Sequence, residues 1–230
     1  MVRVEGLPRA AGNDDSQATT ISLIFPPNKL IAIYGSQGSG KTVLLRSIAG
    51  LNDKRSSFQS LRVFLNNRPI DTIPKKLVRT EITYVDASMI EAVGSLRVGE
   101  ATKVLSDLSV RDLAKSAFEM INLLDLHPLL EKPQMPLSTT PSSQRTAFLA
   151  LLALVKPAKV LLFDGIFDHV DDEKLNRLVE MLRSSKSKRV VLVSTRHERR
   201  FLHSADFFVA LKDGKIVFEG DPRDYVMRTH

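Results

Sequence analysis

One glycine-rich segment constrains the fold of this chain more than any other feature of the sequence. It reads Gly35-Ser36-Gln37-Gly38-Ser39-Gly40-Lys41-Thr42 and matches the pattern GxxxxGK[ST] at every fixed position. The apolar run Leu30 to Tyr34 in front of it predicts a strand, and the apolar residues from Val43 onward predict a helix that begins near Lys41. A strand, a glycine-rich turn and a helix in this order are typical of phosphate-binding loops in α/β proteins.

The residue types in this loop suit a polyphosphate ligand. Glycines allow backbone N–H groups to turn inward onto phosphate oxygens, and the positive end of the following helix points to the same place. Lys41 would reach the β- and γ-phosphates, and the hydroxyl of Thr42 would bind Mg²⁺. We therefore predict that residues 35–43 bind a nucleotide together with Mg²⁺.

A second apolar strand ends in a carboxylate that fits the same site. The run Val160 to Phe163 followed by Asp164 has the pattern of a Walker B strand, whose aspartate can hold the water shell of Mg²⁺. We predict Asp164 as a metal-binding residue.

The sequence excludes two other classes of phosphate-loop protein. A GTPase would need an NKxD tetrapeptide in the later half of the chain, and none is present. A small nucleotide kinase would need a lid with more arginines than Arg97 and Arg111.

Short runs rich in β-branched residues predict the rest of the sheet. They are Thr20–Phe25, Leu30–Tyr34, Leu61–Phe64, Ile82–Val85, Val160–Phe163, Val190–Ser194, Phe207–Leu211 and Lys215–Phe218. Apolar residues recur at helical spacing over residues 43–50, 110–124 and 173–184, with Ser109 placed as the N-cap of the second helix. Strands that alternate with helices predict an α/β fold with a mostly parallel sheet.

Two further signals complete the predicted architecture. Asp213-Gly214 is a two-residue hairpin signal, so the strands at the C-terminal end are predicted to be antiparallel. Residues 88–143 lack strand signals and are predicted to form a helical insert. We predict one domain over residues 1–230: a P-loop NTPase core (1–87 and 144–230) with antiparallel N-terminal and C-terminal strands, and an inserted helical subdomain (88–143).

The composition excludes several classes of protein. The 230 residues include no cysteine, which rules out disulfide scaffolds and thiolate metal sites. The longest apolar run, Ala147 to Val155, is shorter than the ~18 to 20 residues that span a bilayer. The first twenty residues carry no targeting signal, so we expect a cytoplasmic location. The start at Met1 without a membrane segment favours a separate subunit over the end of a larger polypeptide. The net charge is +7, and the basic residues form clusters that contain no interleaved aromatic residues. No nucleic-acid partner is therefore expected.

Over nearly its whole length the chain resembles the ATP-binding domain of ABC transporters. Besides the phosphate loop and Asp164, the matching segments follow in the family's order: Leu137-Ser138, Asp171, Ser194-Thr195, Ala205-Asp206 and the tail Leu211 to Gly220. The resemblance implies ATP as the nucleotide, with Mg²⁺. It also implies a second ABC ATP-binding domain, in a homodimer or heterodimer, in which Ser138 contacts the ATP bound to the partner domain. A transmembrane transporter subunit is the further implied partner, at the inner face of the membrane.

Two departures from the family pattern concern hydrolysis. Thr139 and Thr140 stand in place of the two glycines that follow Leu137-Ser138, and Pro141 after them lacks a donor N–H, so the grip of this loop on phosphate should be weaker. Gly165 stands in place of the glutamate that polarises the attacking water. Loss of a positioned base typically costs on the order of 10² to 10⁴ in rate.

Other departures leave candidate residues with open roles. Asp168 could be recruited as the base or be a turn residue, and His197 lies one residue later than the family's switch histidine because Arg196 follows Thr195. Asp86 follows the strand Ile82–Val85 where the family has a glutamine, and it either binds Mg²⁺ or only starts a loop. The segment Leu7 to Gln17 has no aromatic residue that could stack on adenine.

Three hypotheses about function follow. The first is an ATP-binding subunit of an ABC transport or export system that binds Mg-ATP, hydrolyses it slowly or not at all, and acts by nucleotide-dependent dimerisation. The second is a competent ATPase that energises export of a protein, peptide or lipid. The third is a non-catalytic interaction protein whose phosphate loop is a relic.

Overall fold

The computed structural model of the protein describes residues 1–9, 20–51, 61–187 and 189–229. The segment Leu7 to Gln17, which has no aromatic residue that could stack on adenine, therefore lies outside the described residues from residue 10 on. The strands are β1 (Val2–Pro8), β2 (Thr20–Phe25), β3 (Lys29–Tyr34), β4 (Arg62–Leu65), β5 (Arg68–Pro69), β6 (Ile82–Asp86), β7 (Val160–Asp164), β8 (Val190–Thr195), β9 (Phe207–Lys212) and β10 (Lys215–Gly220). The helices are α1 (Lys41–Ile48), α2 (Lys75–Glu81), α3 (Ser88–Ala92), α4 (Val98–Ser106), α5 (Val110–Ser116), α6 (Phe118–Leu123), α7 (His127–Leu130), α8 (Ser142–Leu154), α9 (Asp172–Ser185) and α10 (Pro222–Thr229).

The chain packs as two compact units. The first comprises Met1–Tyr84, Lys159–Asp164 and Lys186–His230, and the second comprises Val85–Ala158 and Gly165–Ser185. The packing thus groups α8 and α9 with the helices of the insert, whereas the sequence-based division assigns residues 144–230 to the core. The boundaries at residues 88 and 143 stay a prediction.

Two sheets form the first unit. The larger has six strands in the order β10-β9-β3-β8-β7-β6, and the smaller has the order β2-β1-β4-β5. In the larger sheet β3 pairs in parallel with β8 and β9, and β7 pairs in parallel with β8, while β9 and β10 are antiparallel. The predicted α/β fold with a mostly parallel sheet and antiparallel terminal strands is confirmed. Asp213 and Gly214, both at positive φ, form the predicted hairpin turn.

The core of the first unit lies between the larger sheet and α1. Ile31 and Ile33 of β3, Leu162 of β7 and Leu192 of β8 are fully buried, and they belong to the same apolar cluster as Leu44, Leu45 and Ile48 of α1. Burial of each such side chain contributes about 1.5 to 3 kcal/mol. The phosphate loop therefore joins a strand and a helix that the core holds firmly in place.

The strand β1 is absent from the sequence-based prediction. Val2 and Val4 are buried, but the next buried residue is Leu7, because the pairing with β2 shifts register between Val4 and Leu7. Gly6 lies at φ 80 within this irregular stretch. A bulge of this kind breaks the alternation of apolar and polar residues by which a strand is recognised in a sequence.

Helices build the second unit around α8. Residues Thr146 to Leu154 of α8 are all buried, and α8 packs against α3, α4 and α9. The helix predicted over residues 110–124 is two helices, α5 and α6, broken at Ala117, but Ser109 caps the first as predicted, accepting a hydrogen bond from the N–H of Asp112. In the part of the chain that the structure describes, no helix has both the length and the apolarity needed to cross a bilayer.

Candidate nucleotide site

The phosphate loop needs glycine at three positions for two different reasons. Gly38 and Gly40 adopt φ 83 and φ 100, in the left-handed region that side chains other than glycine rarely enter. Gly35 is instead required by space, since a Cβ there would lie 2.4 Å from Ser39 Oγ and 2.5 Å from the carbonyl oxygen of Leu211. Ser39 is buried and closes the loop by donating its N–H to Ser36 O at 3.2 Å. The sequence pattern thus corresponds to one fixed backbone path.

Lys41 lies at the start of α1 with its ammonium group turned into the loop. Its Nζ donates to Gly35 O at 2.6 Å, to Ser36 O at 2.8 Å and to Ser39 Oγ at 3.2 Å. Only 8% of Lys41 is exposed, so its charge lies among oxygens of the loop and not in bulk water. A buried cation held by loop carbonyls and hydroxyls gives the loop a positive centre suited to an anionic ligand.

Two hydrogen bonds tie this loop to the end of β8 and to the turn between β9 and β10. Gly35 donates its N–H to Thr195 O at the end of β8, at 3.3 Å, and the N–H of Gly214 donates to Ser39 O at 3.1 Å.

Thr42, on the first turn of α1, is exposed. Its hydroxyl is therefore accessible to a ligand of the loop.

Asp164 lies at the same edge of the sheet as the loop. Because β3, β8 and β7 are neighbouring parallel strands, the residues at their carboxyl ends meet at one edge. Asp164 is 6% exposed and accepts two hydrogen bonds, one from Ser194 Oγ at 2.6 Å and one from the hydroxyl of Tyr84 at 3.0 Å. The structure therefore brings Gly35 to Val43 and Asp164 to one edge of the first unit.

Neither Tyr84 nor Ser194 is among the site residues predicted from the sequence, although Ser194-Thr195 is one of the segments that resemble the family. Both lie in strands that the sequence predicts, Ser194 next to the end of β8 and Tyr84 in the middle of β6. A hydroxyl side chain within a predicted strand, and not any motif, is the signal by which they could have been found.

His197 lies beyond the end of β8 in the first unit. Its side chain is exposed, and its N–H donates to Thr195 Oγ1 at 3.0 Å at the start of a 3-10 turn over Glu198–Arg200. Glu198 in turn accepts a hydrogen bond from the hydroxyl of Tyr225 on α10. The role of His197 in hydrolysis stays a prediction.

Asp168 and Gly165 form a turn in the second unit. Asp168 donates its N–H to Gly165 O at 3.3 Å and is buried, with 6% of its surface exposed. Gly165 has φ 67, and a Cβ built on it would lie 4.0 Å from Asp168 Oδ2. The Asp168 carboxylate therefore occupies the neighbourhood into which a side chain at position 165 would project.

Ser138 lies in a 3-10 turn of the second unit over Leu137–Thr139. Ser138 is exposed, whereas the hydroxyls of Thr139 and Thr140 turn back on the chain and donate to Pro136 O and Leu137 O, both at 2.7 Å. Arg145 of α8 supports the turn, donating from Nη1 to Thr140 O at 2.7 Å. Ser138 is thus exposed in this segment, while both threonine hydroxyls are used in local hydrogen bonds.

Asp86, the third metal candidate, also lies in the second unit. Its Oδ1 accepts hydrogen bonds from the N–H of Ser88 at 3.0 Å and of Met89 at 3.3 Å, and from the hydroxyl of Ser88. These contacts are those of a carboxylate that starts a helix. The described residues include no group of three or more histidine, aspartate or glutamate side chains arranged to hold a metal ion.

Comparison with known proteins agrees with this geometry. Residues 18–167 match the protein family described as ABC transporter. The chain is 25% identical, over 94% of its length and 80% of the relative's, to the energy-coupling factor transporter ATP-binding protein EcfA1 of Thermotoga maritima. It is 22% identical to the phosphonates import ATP-binding protein PhnC of Lactococcus lactis subsp. cremoris, covering 97% of this chain and 94% of that protein.

A solved structure gives the same result for the fold. The structure of cbiO1 from Clostridium perfringens, part of the ABC transporter complex cbiONQ, superposes with a TM-score of 0.76 at 19% identity and covers 99% of this chain and 91% of that one. The family match extends from before β2 to beyond Asp164 and so includes the phosphate loop and the strand that ends in the buried carboxylate. The chain belongs to the ABC transporter family, as one of its ATP-binding domains.

Proposed function

We propose that this protein is the ATP-binding subunit of an ABC transport system and that it binds Mg-ATP but hydrolyses it slowly or not at all. Nucleotide bound at residues 35–43 would promote dimerisation with a second ABC ATP-binding domain. The dimer would act on a transmembrane subunit at the inner face of the membrane. The observation that carries the proposal is a complete phosphate loop around the buried ammonium of Lys41, in a chain that has Gly165 directly after Asp164.

The donor set beside the loop suits Mg²⁺, which prefers oxygen ligands and keeps several waters. The Thr42 hydroxyl is exposed on α1, and α1 packs against β7, the strand that ends in Asp164. Thr42 and Asp164 would therefore hold Mg²⁺ together with phosphate oxygens of ATP. The bound ion would neutralise phosphate charge, and Lys41 would do the same from within the loop.

Slow hydrolysis is supported by the residues after Asp164. Gly165 has no side chain to orient water, and its φ of 67 disfavours at this position any residue whose side chain could orient it. Weak closure on a partner's ATP is supported by Thr139 and Thr140, whose hydroxyls are hydrogen-bonded within their own turn. Both features reduce turnover without removing the binding site.

Binding is tested by the melting temperature of the full chain with and without Mg-ATP. Ligand at about 100 times its Kd adds about 2.7 kcal/mol to the stability. For a chain of this size that corresponds to a rise of roughly 5 to 10 °C. Lys41→Ala should abolish the rise, because it removes the cation at the centre of the loop. If the wild-type chain shows no rise, the phosphate loop is a relic and the proposal is wrong.

A competent ATPase is the second candidate, and the burial of Asp168 next to the Cβ position of Gly165 favours it. In that case Asp168 would take the place of the missing glutamate, or His197 would orient the water. Steady-state turnover at ordinary family rates that falls with Lys41→Ala would establish it. Asp168→Ala and His197→Ala would then show which side chain is used.

The substrate and the direction of transport would depend on the transmembrane subunit. The two relatives compared above are named for energy coupling and for phosphonate import, whereas the sequence-based hypothesis includes export. We propose a transport system whose direction is given by its transmembrane subunit. Copurification with that subunit and a transport assay in vesicles, run with wild type and Lys41→Ala, would test it.

A further inference from the structure

We propose that Tyr84 and Ser194 are positioning residues that orient the Asp164 carboxylate and so set the Mg²⁺ concentration at which ATP binds. The inference rests on the proposed function, because it concerns how the same site takes its metal. It assigns a role to two hydroxyl side chains that lie outside the phosphate loop and are distant from it in the sequence.

The three side chains come from three adjacent strands. In the larger sheet β8, β7 and β6 are neighbours; Ser194 lies next to the carboxyl end of β8, Asp164 ends β7, and Tyr84 is the middle residue of β6. Asp164 and Ser194 are direct partners in the parallel pairing of β7 with β8. The hydroxyls of Ser194 and Tyr84 thus reach the carboxylate from the strands on either side of it.

Each hydroxyl holds a different oxygen of Asp164. Ser194 Oγ donates to Oδ1 at 2.6 Å, and the Tyr84 hydroxyl donates to Oδ2 at 3.0 Å. Two donors on opposite oxygens fix the plane of the carboxylate, which a single donor would leave free to rotate. Because each carboxylate oxygen has two acceptor sites, one site on each remains for water bound to a metal.

The surroundings make this arrangement rigid. Ser194 is fully buried and Asp164 nearly so, and Tyr84 is half-buried. A hydroxyl that donates to a charged acceptor inside the protein forms a strong hydrogen bond. Side chains that orient a metal-binding carboxylate typically change metal affinity 10- to 100-fold when they are removed.

The experiment measures how much Mg²⁺ is needed for ATP to raise the melting temperature of the full chain. Tyr84→Phe removes one oxygen and keeps the ring, so it should raise the Mg²⁺ midpoint by about 10-fold, and Ser194→Ala should act in the same direction. Tyr225→Phe is the matched control, since it makes the same chemical change at a hydroxyl that bonds Glu198 instead. Its Mg²⁺ midpoint should equal that of wild type.

A second readout separates positioning from mere packing. In EDTA the residual ATP-dependent shift of Tyr84→Phe should equal that of wild type, because only the metal-dependent part passes through Asp164. In an Asp164→Asn background, Tyr84→Phe should cause no further change in the midpoint. If Tyr84→Phe lost ATP binding equally with and without Mg²⁺, Tyr84 would have only a packing role and the inference would be wrong.

The inference and the proposed function can fail separately. If the wild-type chain gives no ATP-dependent shift at any Mg²⁺ concentration, the proposed function is wrong. If wild type gives a Mg²⁺-dependent shift and Tyr84→Phe has the same midpoint, the proposed function stands and the positioning role of Tyr84 is wrong.

Discussion

At the scale of single residues, the backbone angle of Gly165 restricts which side chains position 165 can carry. With φ 67, Gly165 adopts a conformation that costs other residues about 1 kcal/mol or more. The space around it is open, since the nearest atom to a Cβ would be Asp168 Oδ2 at 4.0 Å. A glutamate here would therefore be strained and would start beside another carboxylate.

We predict that Gly165→Glu lowers the free energy of unfolding by about 1 to 2 kcal/mol and does not raise ATP turnover above that of wild type. Urea denaturation and a steady-state ATPase assay would measure both effects. Gly165→Ala isolates the backbone strain from the added charge. Gly94→Ala is the control, because its Cβ would meet Ser138 at 3.9 Å without a positive φ. Restored turnover in Gly165→Glu would contradict the prediction.

At the scale of secondary-structure elements, Asp206 links the start of β3 to the segment before β8. Its Oδ2 accepts hydrogen bonds from the N–H of Leu30 and from Lys186 Nζ, each at 2.7 Å, and its own N–H donates to Leu30 O. Burial by itself would raise the pKa of Asp206, but the hydrogen bonds from Lys186 and Leu30 and the nearby positive charges bring that pKa below its usual value. The ionised form is therefore favoured by folding.

A carboxyl group whose pKa is lowered by folding stabilises the protein above its unfolded pKa of about 3.9 and loses that contribution as the pH falls through the folded pKa. We predict that Asp206→Asn lowers the free energy of unfolding by about 1 to 2 kcal/mol at neutral pH. The difference from wild type should shrink below about pH 4. Asp125→Asn, which breaks an exposed ion pair with Arg177, is the control and should change stability by less than about 1 kcal/mol. A pH-independent difference for Asp206→Asn would contradict the assignment.

The last helix, α10, packs against the rest of the first unit through the aromatic ring of Tyr225. The ring of Tyr225 lies 4.8 Å from that of Phe208 and 5.0 Å from that of Phe218, and it also meets Tyr34 at 6.4 Å between ring centroids. Tyr34 directly precedes the phosphate loop. Burial, and then the hydrogen bond to Glu198, raise the pKa of Tyr225 above its usual value.

We predict that Tyr225→Ala lowers the free energy of unfolding by about 3 kcal/mol, because it empties a space between three aromatic rings. Tyr225→Phe keeps the ring and should cost only about 1 kcal/mol, the value of its hydrogen bond to Glu198. Met227→Ala is the control on the same helix, since Met227 is 73% exposed. Equal effects of Tyr225→Ala and Met227→Ala in urea denaturation would show that α10 is not held by this ring.

At the scale of the whole molecule, the proposed function requires two ABC ATP-binding domains, and the simplest pair is two copies of this chain. We predict that Mg-ATP increases the dimer fraction in analytical ultracentrifugation and that Lys41→Ala abolishes the increase. Ser138→Ala should reduce dimerisation while leaving the ATP-dependent melting shift intact, because Ser138 is expected to contact the partner's nucleotide. Thr80→Ala is the control, since Thr80 is an exposed residue outside this loop whose hydroxyl donates to Leu77 O. Unchanged dimerisation in Ser138→Ala would place Ser138 outside the interface.

Prediction from the sequence worked best where a local signal matched a local structure. The hairpin at Asp213-Gly214 and the N-cap Ser109 were both recognisable because their geometry depends on a few neighbouring residues. Helix α8 gave no periodic signal, because it is buried on all sides and its apolar residues form a continuous run. The strand β1 was missed because a bulge interrupts its alternation.

The sequence by itself determined the fold class, the family and the phosphate loop, because glycine spacing and an apolar strand before a helix act over a few residues. Only the tertiary structure showed that Asp164 is held by Tyr84 and Ser194, which are distant from it in the chain. It also showed that Gly165 is left-handed and that Asp168 lies at its side. These features depend on which strands become neighbours and on the path of one turn. Neither the strand order nor the turn path can be predicted from the spacing of residue types.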